Sequence, residues 1–327
     1  MSLYINPRDS AQRWVIFGSS GFVGRHLSAE LESQKARVVR LRAPRLEAPG
    51  GLLLPDYVAR LAMFKKEVEE LSEQLLPGDI VINAAGLAEP GSAATPQLFG
   101  ANALLPGVLA LAAKKSRVLH YVHLSSAAVQ GNASVLDASP TTHPFSPYSR
   151  SKALGESVVS AVSGNLATTI VRATSVQGSD RKTTKNLQAV ARSPFACVAA
   201  PGTQPTSVSS IDGLVDFVIR TAFSPDGLLR IQLQPWEGGT VSSVLAAASG
   251  GKQPLVLPAG LCRSVLFVGR NLSRVLGGQL SGHIRRLELM WFGQAQDGTL
   301  SANCGMTDSL VRALSGSSIR EPNWRDS

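Results

Sequence analysis

Tyr148 and Lys152 stand four residues apart in the stretch Ser146-Pro147-Tyr148-Ser149-Arg150-Ser151-Lys152. Residues at i and i+4 lie on one helix face, so this spacing points both side chains the same way. A free phenol titrates at about 10 and is a poor base at neutral pH. A nearby ammonium favours the phenolate and lowers that value. A phenol tuned towards the working pH can move a proton on or off a substrate hydroxyl. The stretch also carries its own helix start. Ser146 suits the N-cap, and Pro147 suits the first helical position, where a missing N–H costs nothing.

The elements that would position this pair are legible on either side. Trp14-Val15-Ile16-Phe17 reads as a buried strand, followed directly by Gly18-Ser19-Ser20-Gly21-Phe22-Val23-Gly24 and a helical pattern with Leu27 and Leu31 apolar. Strand, glycine turn and helix form the context of a dinucleotide fingerprint. Gly18 permits the tight turn, Gly21 lets the backbone approach a pyrophosphate, and Gly24 lets helix and strand pack closely. The helix N-terminus, with free N–H groups, then faces the phosphates. Gly18, Ser20, Gly21, Phe22, Val23 and Gly24 are therefore candidate cofactor contacts. The spacing is GxxGxxG, which differs from the GxGxxG of the common dehydrogenases.

Val38 to Arg42 reads as the second strand. Arg42 falls 18 residues after Gly24, where an acidic residue would hold the 2′-hydroxyl of NAD. No acid is there, and Arg42, with Arg40 or Arg45 nearby, suits the 2′-phosphate of NADP. Ala43 to Leu54 reads as loop with a short strand at 52–54. Asp56 to Leu75 reads as an amphipathic helix. Ile80-Val81-Ile82 is a third buried strand running into Asn83-Ala84-Ala85-Gly86, whose small residues let a flat cofactor lie against the backbone. Pro96 to Lys115 is a long helical stretch containing Asn102. Val118 to Leu124 is a strand that delivers Ser125 and Ser126 at its C-terminal end, where open α/β sheets bind ligands.

Ile170-Val171 gives one more strand. Ser179 to Pro205 reads as loop around a helix at Lys185 to Ala191. A strand at Ser207 to Ile211, a helix at Asp212 to Phe223 and a strand at Leu228 to Leu233 return to the first domain. Helices at Ser242 to Ala248 and Val265 to Leu276 belong to a smaller second domain, and Ser315 to Ser327 reads as weakly structured. Alternating strands and helices predict an α/β fold, a Rossmann-type doubly wound parallel sheet with a smaller C-terminal substrate domain. The expected boundaries are 12–178 with 206–233 for the NAD(P)-binding domain, and 179–205 with 234–327 for the substrate domain.

Composition narrows the classes. The chain has 327 residues, 44% hydrophobic and 17% charged, which is ordinary for one or two globular domains. Its formal charge of +9 could attract nucleic acid or anionic small molecules. Lys and Arg are scattered, without runs or interleaved aromatics, so no nucleic acid is expected. Cys197, Cys262 and Cys304 show no metal-ligand or disulfide spacing, which favours a reducing compartment and no metal. His26, His120, His123, His143 and His283 show no ligand spacing and read as structural or solvated. Trp236, Trp291 and Trp324 read as packing residues. Met1 to Ser10 has no apolar run, and Pro254 to Gly269 is too short and too polar for a membrane span. No membrane association and a cytoplasmic location are expected.

Four motifs stand in one order: Gly18-x-x-Gly21-x-x-Gly24, Asn83-Ala84-Ala85-Gly86, Ser125-Ser126-Ala127-Ala128-Val129-Gln130-Gly131 and Tyr148-x-x-x-Lys152. Together they resemble the extended short-chain dehydrogenase/reductases, the NAD-dependent epimerase/dehydratase family. The resemblance covers the first half firmly and the second half only by position. It implies that Tyr148 is the acid/base on a sugar hydroxyl or keto oxygen. Lys152 would hold the nicotinamide ribose and lower the tyrosine pKa. Ser126 would bond the same substrate oxygen. Asn83, Ala84, Ala85, Gly86 and Asn102 would line the cofactor, with hydride passing at the nicotinamide.

Departures bear on substrate. Ala127 and Ala128 stand where the dehydratase branch has an acidic pair, which argues against 4,6-dehydration. Gln130 stands where the family often has Tyr. Ser175 stands where sugar-nucleotide epimerases commonly have Asn, and Asn186-Leu187 resembles their nucleotide-binding pair, so Ser175 and Asn186 are substrate candidates. The basic residue these enzymes use for the diphosphate is missing before Asp212, where Pro205-Thr206-Ser207 stands, and their usual His is Ser209. Arg181, Lys182, Lys185 or Arg192 could meet a diphosphate instead. The resulting expectation is an NAD(P)-dependent oxidoreductase or epimerase acting on a sugar, with a nucleotide sugar as substrate. The cofactor is expected to tilt towards NADP(H), and the resemblance implies a homodimer built from the helices around Asn102 and Tyr148. Two alternatives are a reductase of non-sugar carbonyls and a non-catalytic NAD(P)-binding regulatory protein.

Overall fold

The computed structural model describes residues 12–87, 93–223, 229–275, 281–298 and 305–316. Residues 1–11, Leu228, Leu276, Cys304, Trp324 and the tail from 317 lie outside the described residues. The described part of the chain divides into two compact units. The first runs to Thr174 and adds Leu214–Pro235; the second is Ser175–Gly213 with the described residues from Trp236 onward.

The first unit is built on six parallel strands: β1 (Arg13–Phe17), β2 (Arg37–Leu41), β3 (Ile80–Asn83), β4 (His120–Ser126), β5 (Thr168–Ala173) and β6 (Leu229–Leu233). Their order is β6-β5-β4-β3-β1-β2, with parallel pairing at every ladder. Trp14 to Phe17 and Ile80 to Ile82 are continuous apolar runs because helices cover both faces of a parallel sheet. The strand order reverses between β1 and β3, so the crevice that binds ligands in such sheets opens at their C-terminal ends. Gly18 and the Asn83-Ala84-Ala85-Gly86 turn stand at those ends.

The covering helices are α1 (Phe22–Ser33), α2 (Leu54–Arg60), α3 (Lys65–Ser72), α4 (Pro96–Phe99), α5 (Leu105–Lys115) and α6 (Pro147–Ser163), with α8 (Ile211–Phe223) passing from the second unit back into the first. The expected strand at 52–54 is absent: Leu54 begins α2, with Pro55 in the first turn and the Asp56 carboxylate accepting from the Leu53 N–H at 3.0 Å. The expected single helix Asp56–Leu75 is broken, with a 3₁₀ turn at Leu61–Phe64 that ends where Phe64 leaves helical geometry (φ −105°, ψ 29°). Pro96 to Lys115 is helical throughout, but Gly100–Leu104 is π-helical. Pro106 lacks the N–H that would bond the Asn102 carbonyl, and a wider turn accommodates the loss.

The second unit pairs Ser175–Gln177 with Val208–Ser210 and Cys197–Ala199 with Leu255–Leu257, both parallel. Its helices are α7 (Lys182–Arg192), α9 (Val241–Ser249), α10 (Ala259–Val275), α11 (Ser281–Phe292) and α12 (Asp308–Ser315). One core gathers Ala191, Val198, Val244, Leu245, Leu310 and Leu314, and a second gathers Ala199, Cys262, Leu266 and Trp291. The buried Glu237 carboxylate accepts from the Ser210 N–H and hydroxyl, both at 2.9 Å, and from the Thr307 hydroxyl at 2.8 Å. It thereby ties α12 to the segment entering α8.

Candidate functional site

Gly18 adopts φ +79°, and a Cβ there would sit 2.5 Å from the Ala85 amide nitrogen. Only glycine lets the two sheet ends meet this closely. A Cβ on Gly24 would fall 2.2 Å from the Gly18 carbonyl, so the third glycine is required by helix–turn packing. Gly21 caps α1 without a side-chain hydrogen bond. The first N–H groups of α1 therefore remain available to an anion, beside Ser20, Phe22 and Val23. Phe22 is packed under the Arg25 guanidinium, 5.5 Å from its ring centre, and against His26.

At the end of β3, Asn83 is fully buried. Its Oδ1 accepts from the Ala85 N–H at 3.0 Å, and its Nδ2 faces the Tyr121 hydroxyl at 3.3 Å and His123 Nδ1 at 3.2 Å. Asn83 thus holds the turn from within, and Ala84, Ala85 and Gly86 form its outer surface. Asn102 braces the far side: its Oδ1 accepts from the Leu87 N–H at 3.0 Å, and its Nδ2 donates to the Leu87 carbonyl at 2.9 Å and Ser151 Oγ at 3.0 Å. A Cβ on Gly86 would meet Asn102 Oδ1 at 2.7 Å and Lys152 Nζ at 3.2 Å. The glycine turn, Asn102 and Lys152 therefore converge on one spot.

The α6 start has the geometry its sequence implies. Ser146 Oγ accepts from the Ser149 N–H at 3.1 Å, Ser149 Oγ accepts from the Ser146 N–H at 2.9 Å, and Pro147 occupies the first turn. Tyr148 and Lys152 are both buried on this helix. Lys152 Nζ donates to the Leu124 carbonyl at 3.1 Å, which uses one of its three donors. Burial pushes its pKa down from 10.5 to about 8, with the Glu156 carboxylate pulling the other way. A Cβ on Gly155 would collide with the Asn102 carbonyl, so this glycine lets α6 lie against the π turn.

The two serines ending β4 differ. Ser125 is buried and donates to Glu156 Oε1 at 2.6 Å, whereas Ser126 is half-buried and accepts from the Ala128 N–H at 3.2 Å, capping the turn Ala127–Gln130. Ser126 keeps its hydroxyl proton to offer. Gln130 is bound inward to Asp137 at 2.6 Å. Arg42 follows β2 and is exposed, while Arg40 pairs with Glu32 at 2.6 Å. Ser175 and Asn186 lie in the second unit, exposed on the strand Ser175–Gln177 and on α7; Ser175 Oγ accepts from Gln177 Nε2 at 3.0 Å.

Three residues escape the sequence reading of the site. Glu156 and Arg172 form a buried pair beneath Ser125 and Lys152. The signal for Glu156 is its i+4 spacing from Lys152, and for Arg172 it is a charge inside an apolar strand. His123 is fully buried, with no hydrogen-bond partner at Nε2. Burial, and then the Lys152 charge, hold it neutral. Its structural assignment gave no hint that it lies beneath Lys152.

This cradle fits a dinucleotide: two glycine turns that a Cβ would fill, an open helix N-terminus and a buried ammonium with unused donors. Comparisons with known proteins agree. The family model described as "NAD dependent epimerase/dehydratase family" matches residues 14–218. The chain is 29% identical over 265 residues to a dTDP-6-deoxy-L-talose 4-dehydrogenase (NAD(P)(+)) of Kitasatospora kifunensis, covering 78% of this chain and 75% of that one. It resembles the structure of UDP-glucuronic acid 4-epimerase from Bacillus cereus with NAD at TM-score 0.60 and 17% identity, over 93% and 94% of the two chains. It resembles dTDP-4-dehydrorhamnose reductase from Bacillus anthracis str. Ames with NADP at TM-score 0.54 and 17% identity, over 76% and 84%. At such identities the structural likenesses establish the fold.

Proposed function

Because the chain belongs to the NAD dependent epimerase/dehydratase family and is an NAD(P)-dependent enzyme, we propose that it oxidises or reduces a hydroxyl or keto carbon of a nucleotide-linked sugar, with Tyr148 as the proton carrier. The nicotinamide supplies or accepts the hydride when bound. Tyr148 gives a proton to, or takes one from, the sugar oxygen. Ser126 donates a hydrogen bond to that oxygen. Lys152 holds the nicotinamide ribose and, as an ammonium, favours the phenolate of Tyr148. Asn83 and Asn102 fix the turn on which the cofactor lies. The observation that carries this reading is Lys152: a buried ammonium, anchored by one bond and set against a turn that admits no side chain.

Arg42 supports a preference for NADP(H). It directly follows β2 with no ion pair among the described residues, while its neighbour Arg40 is held by Glu32. A guanidinium so placed suits a 2′-phosphate. Substrate recognition is assigned to the second unit, through Ser175, Asn186 and the basic residues of α7. The dTDP-sugar relative and the nucleotide-sugar epimerase and reductase neighbours support a nucleoside diphosphate on the substrate.

The test is turnover of UDP- and dTDP-linked sugars and 4-keto sugars by the purified chain, with nicotinamide absorbance followed in both directions. Oxidation or reduction of any of them, abolished in Tyr148→Phe, supports the reading. Tight cofactor binding with no turnover of any nucleotide sugar, alongside reduction of a simple carbonyl, would move the substrate outside the sugars.

A further inference from the structure

Strand β4 buries two histidines, and their surroundings differ. His120 meets the Ala222 carbonyl through Nδ1 and the Thr169 hydroxyl through Nε2, both at 2.9 Å. Both nitrogens are engaged, and the ring is a packing piece between β4 and α8. His123 lies on the opposite face of the strand with Tyr121 and Ser125, because side chains alternate along a strand. That face meets α5 and α6, through the Tyr121 bond to the Pro106 carbonyl and the Ser125 bond to Glu156. Across the ladder His123 pairs in register with Asn83, the residue that opens the Asn83-Ala84-Ala85-Gly86 turn.

The protons around Asn83 can be assigned one by one. Asn83 Oδ1 accepts from the Ala85 N–H at 3.0 Å, which fixes which end of the amide is the oxygen. Nδ2 therefore aims its N–H groups at Tyr121 Oη, 3.3 Å away, and at His123 Nδ1, 3.2 Å away. The Tyr121 proton is committed to the Pro106 carbonyl at 3.0 Å, so that hydroxyl accepts from Asn83. His123 Nδ1 must accept as well. The ring proton then sits on Nε2, which is buried and has no hydrogen-bond partner among the described residues. A second proton on the ring would set N–H against N–H at Asn83. Burial, and after it the Lys152 charge, keep that proton off. His123 is thus held as an acceptor for Asn83 while its own N–H stays unpaired, an arrangement that costs stability. A residue that only filled space would gain nothing from it, since a phenylalanine ring occupies such a place without an unpaired donor.

We infer that His123 is a positioning residue for the cofactor: its Nδ1 anchors the Asn83 amide, and the amide holds the Ala85 N–H and so the surface of the turn on which the dinucleotide lies. The inference rests on the dinucleotide reading of that turn. NAD(P)H affinity of the wild type, His123→Asn and His123→Phe tests it, by nicotinamide fluorescence on proteins shown to be folded by circular dichroism. Asparagine places an acceptor close to the position of Nδ1, whereas phenylalanine fills the volume of the ring and accepts nothing. His123→Asn should keep affinity within a few-fold of wild type, and His123→Phe should bind about tenfold or more weakly, the measure of a hydrogen bond lost beside a buried donor. A space-filling role gives the reverse order, because asparagine leaves a cavity that phenylalanine does not. That reverse order overturns the inference, and so does equal affinity in all three proteins. Nitrogen-15 spectra of the histidine-labelled wild type need no variant to fold. They should show the two buried rings as opposite neutral tautomers, Nδ1–H for His120 and Nε2–H for His123; two Nδ1–H rings overturn the inference. A wild type that binds neither NADH nor NADPH overturns the dinucleotide reading itself, and the role of His123 falls with it.

Discussion

Arg172 Nη2 lies 2.7 Å from Glu156 Oε2, with 0% and 5% of the two side chains exposed. Arg172 Nε also reaches Glu156 Oε1 at 3.1 Å, and its Nη1 donates to the Ser139 carbonyl at 2.6 Å. Glu156 in turn accepts from Ser125. The pair therefore pins α6, the end of β4 and the segment after it to one another, beneath Tyr148, Lys152 and Ser126. Breaking such a pair leaves one charge buried without a partner. Glu156→Ala should lower stability by about 3–5 kcal/mol, read from denaturant midpoints at unchanged m-value.

Lys152 sets a pH signature. Its pKa stands at about 8, lowered by burial from 10.5. The ammonium is present below that value and is lost as pH rises through it. If the ammonium holds the cofactor ribose, NAD(P)H affinity weakens as pH rises through about 8, and Lys152→Met binds weakly with a flat profile. The neighbouring Glu156 carboxylate raises this pKa, so Glu156→Gln should move the midpoint to lower pH. The stability sign is opposite to that of binding. Between about 8 and 10.5 the unfolded chain keeps a proton that the folded chain has released, so the stability that burying this lysine costs is regained as pH rises across that window. Fluorescence titrations and melts across pH check both.

Tyr148→Phe separates chemistry from binding. Loss of a general acid–base group costs about 10²–10⁴-fold in rate. The ring still fills its buried place, so cofactor affinity should stay within a few-fold of wild type. Equal loss of turnover and cofactor binding would remove Tyr148 from the role of proton carrier.

Much of the first unit was legible because its constraints are local. Gly18, Gly21 and Gly24 follow a buried strand and open a helix, and Ser146-Pro147 states a helix start in two residues. The sugar-enzyme reading came from the order of four such motifs. Less legible were features set by distant partners. The π turn around Asn102 lies against α6 at Gly155, a contact between stretches far apart in the chain that no local pattern announces. Phe64 breaks a pattern that is amphipathic from 56 to 75. α11 and α12, which the sequence reading did not assign, are shaped by packing on α9, α10 and Glu237. Asn83 read as a cofactor contact, yet its side chain is spent inside the turn on Ala85, Tyr121 and His123.

Gly18→Ala tests the glycine turn. The residue holds φ +79°, and the added methyl would fall on the Ala85 backbone. Left-handed geometry alone costs a side chain roughly 1–2 kcal/mol, and the collision must also push β1 and β3 apart at the crevice. The variant should lose stability by at least that amount and bind NAD(P)H far more weakly. Cofactor affinity measured well below the melting temperature separates the two effects, because a folded variant with wild-type affinity would show that the turn does not contact the dinucleotide.

Arg42→Ala addresses cofactor choice. A solvent-facing arginine on a phosphate gains a charge-assisted contact that the 2′-hydroxyl of NADH cannot reproduce. Removing it should cost NADPH about 1.5–3 kcal/mol of binding, the range for hydrogen bonds to charged groups, or about tenfold or more in Kd. NADH affinity should be nearly unchanged. Arg40→Ala is the control: its guanidinium is engaged by Glu32, so the same titrations should show little change in either cofactor. Equal weakening of NADPH and NADH by Arg42→Ala would assign the side chain to the shared adenosine or pyrophosphate. No change in either would make it a solvated residue at a strand end.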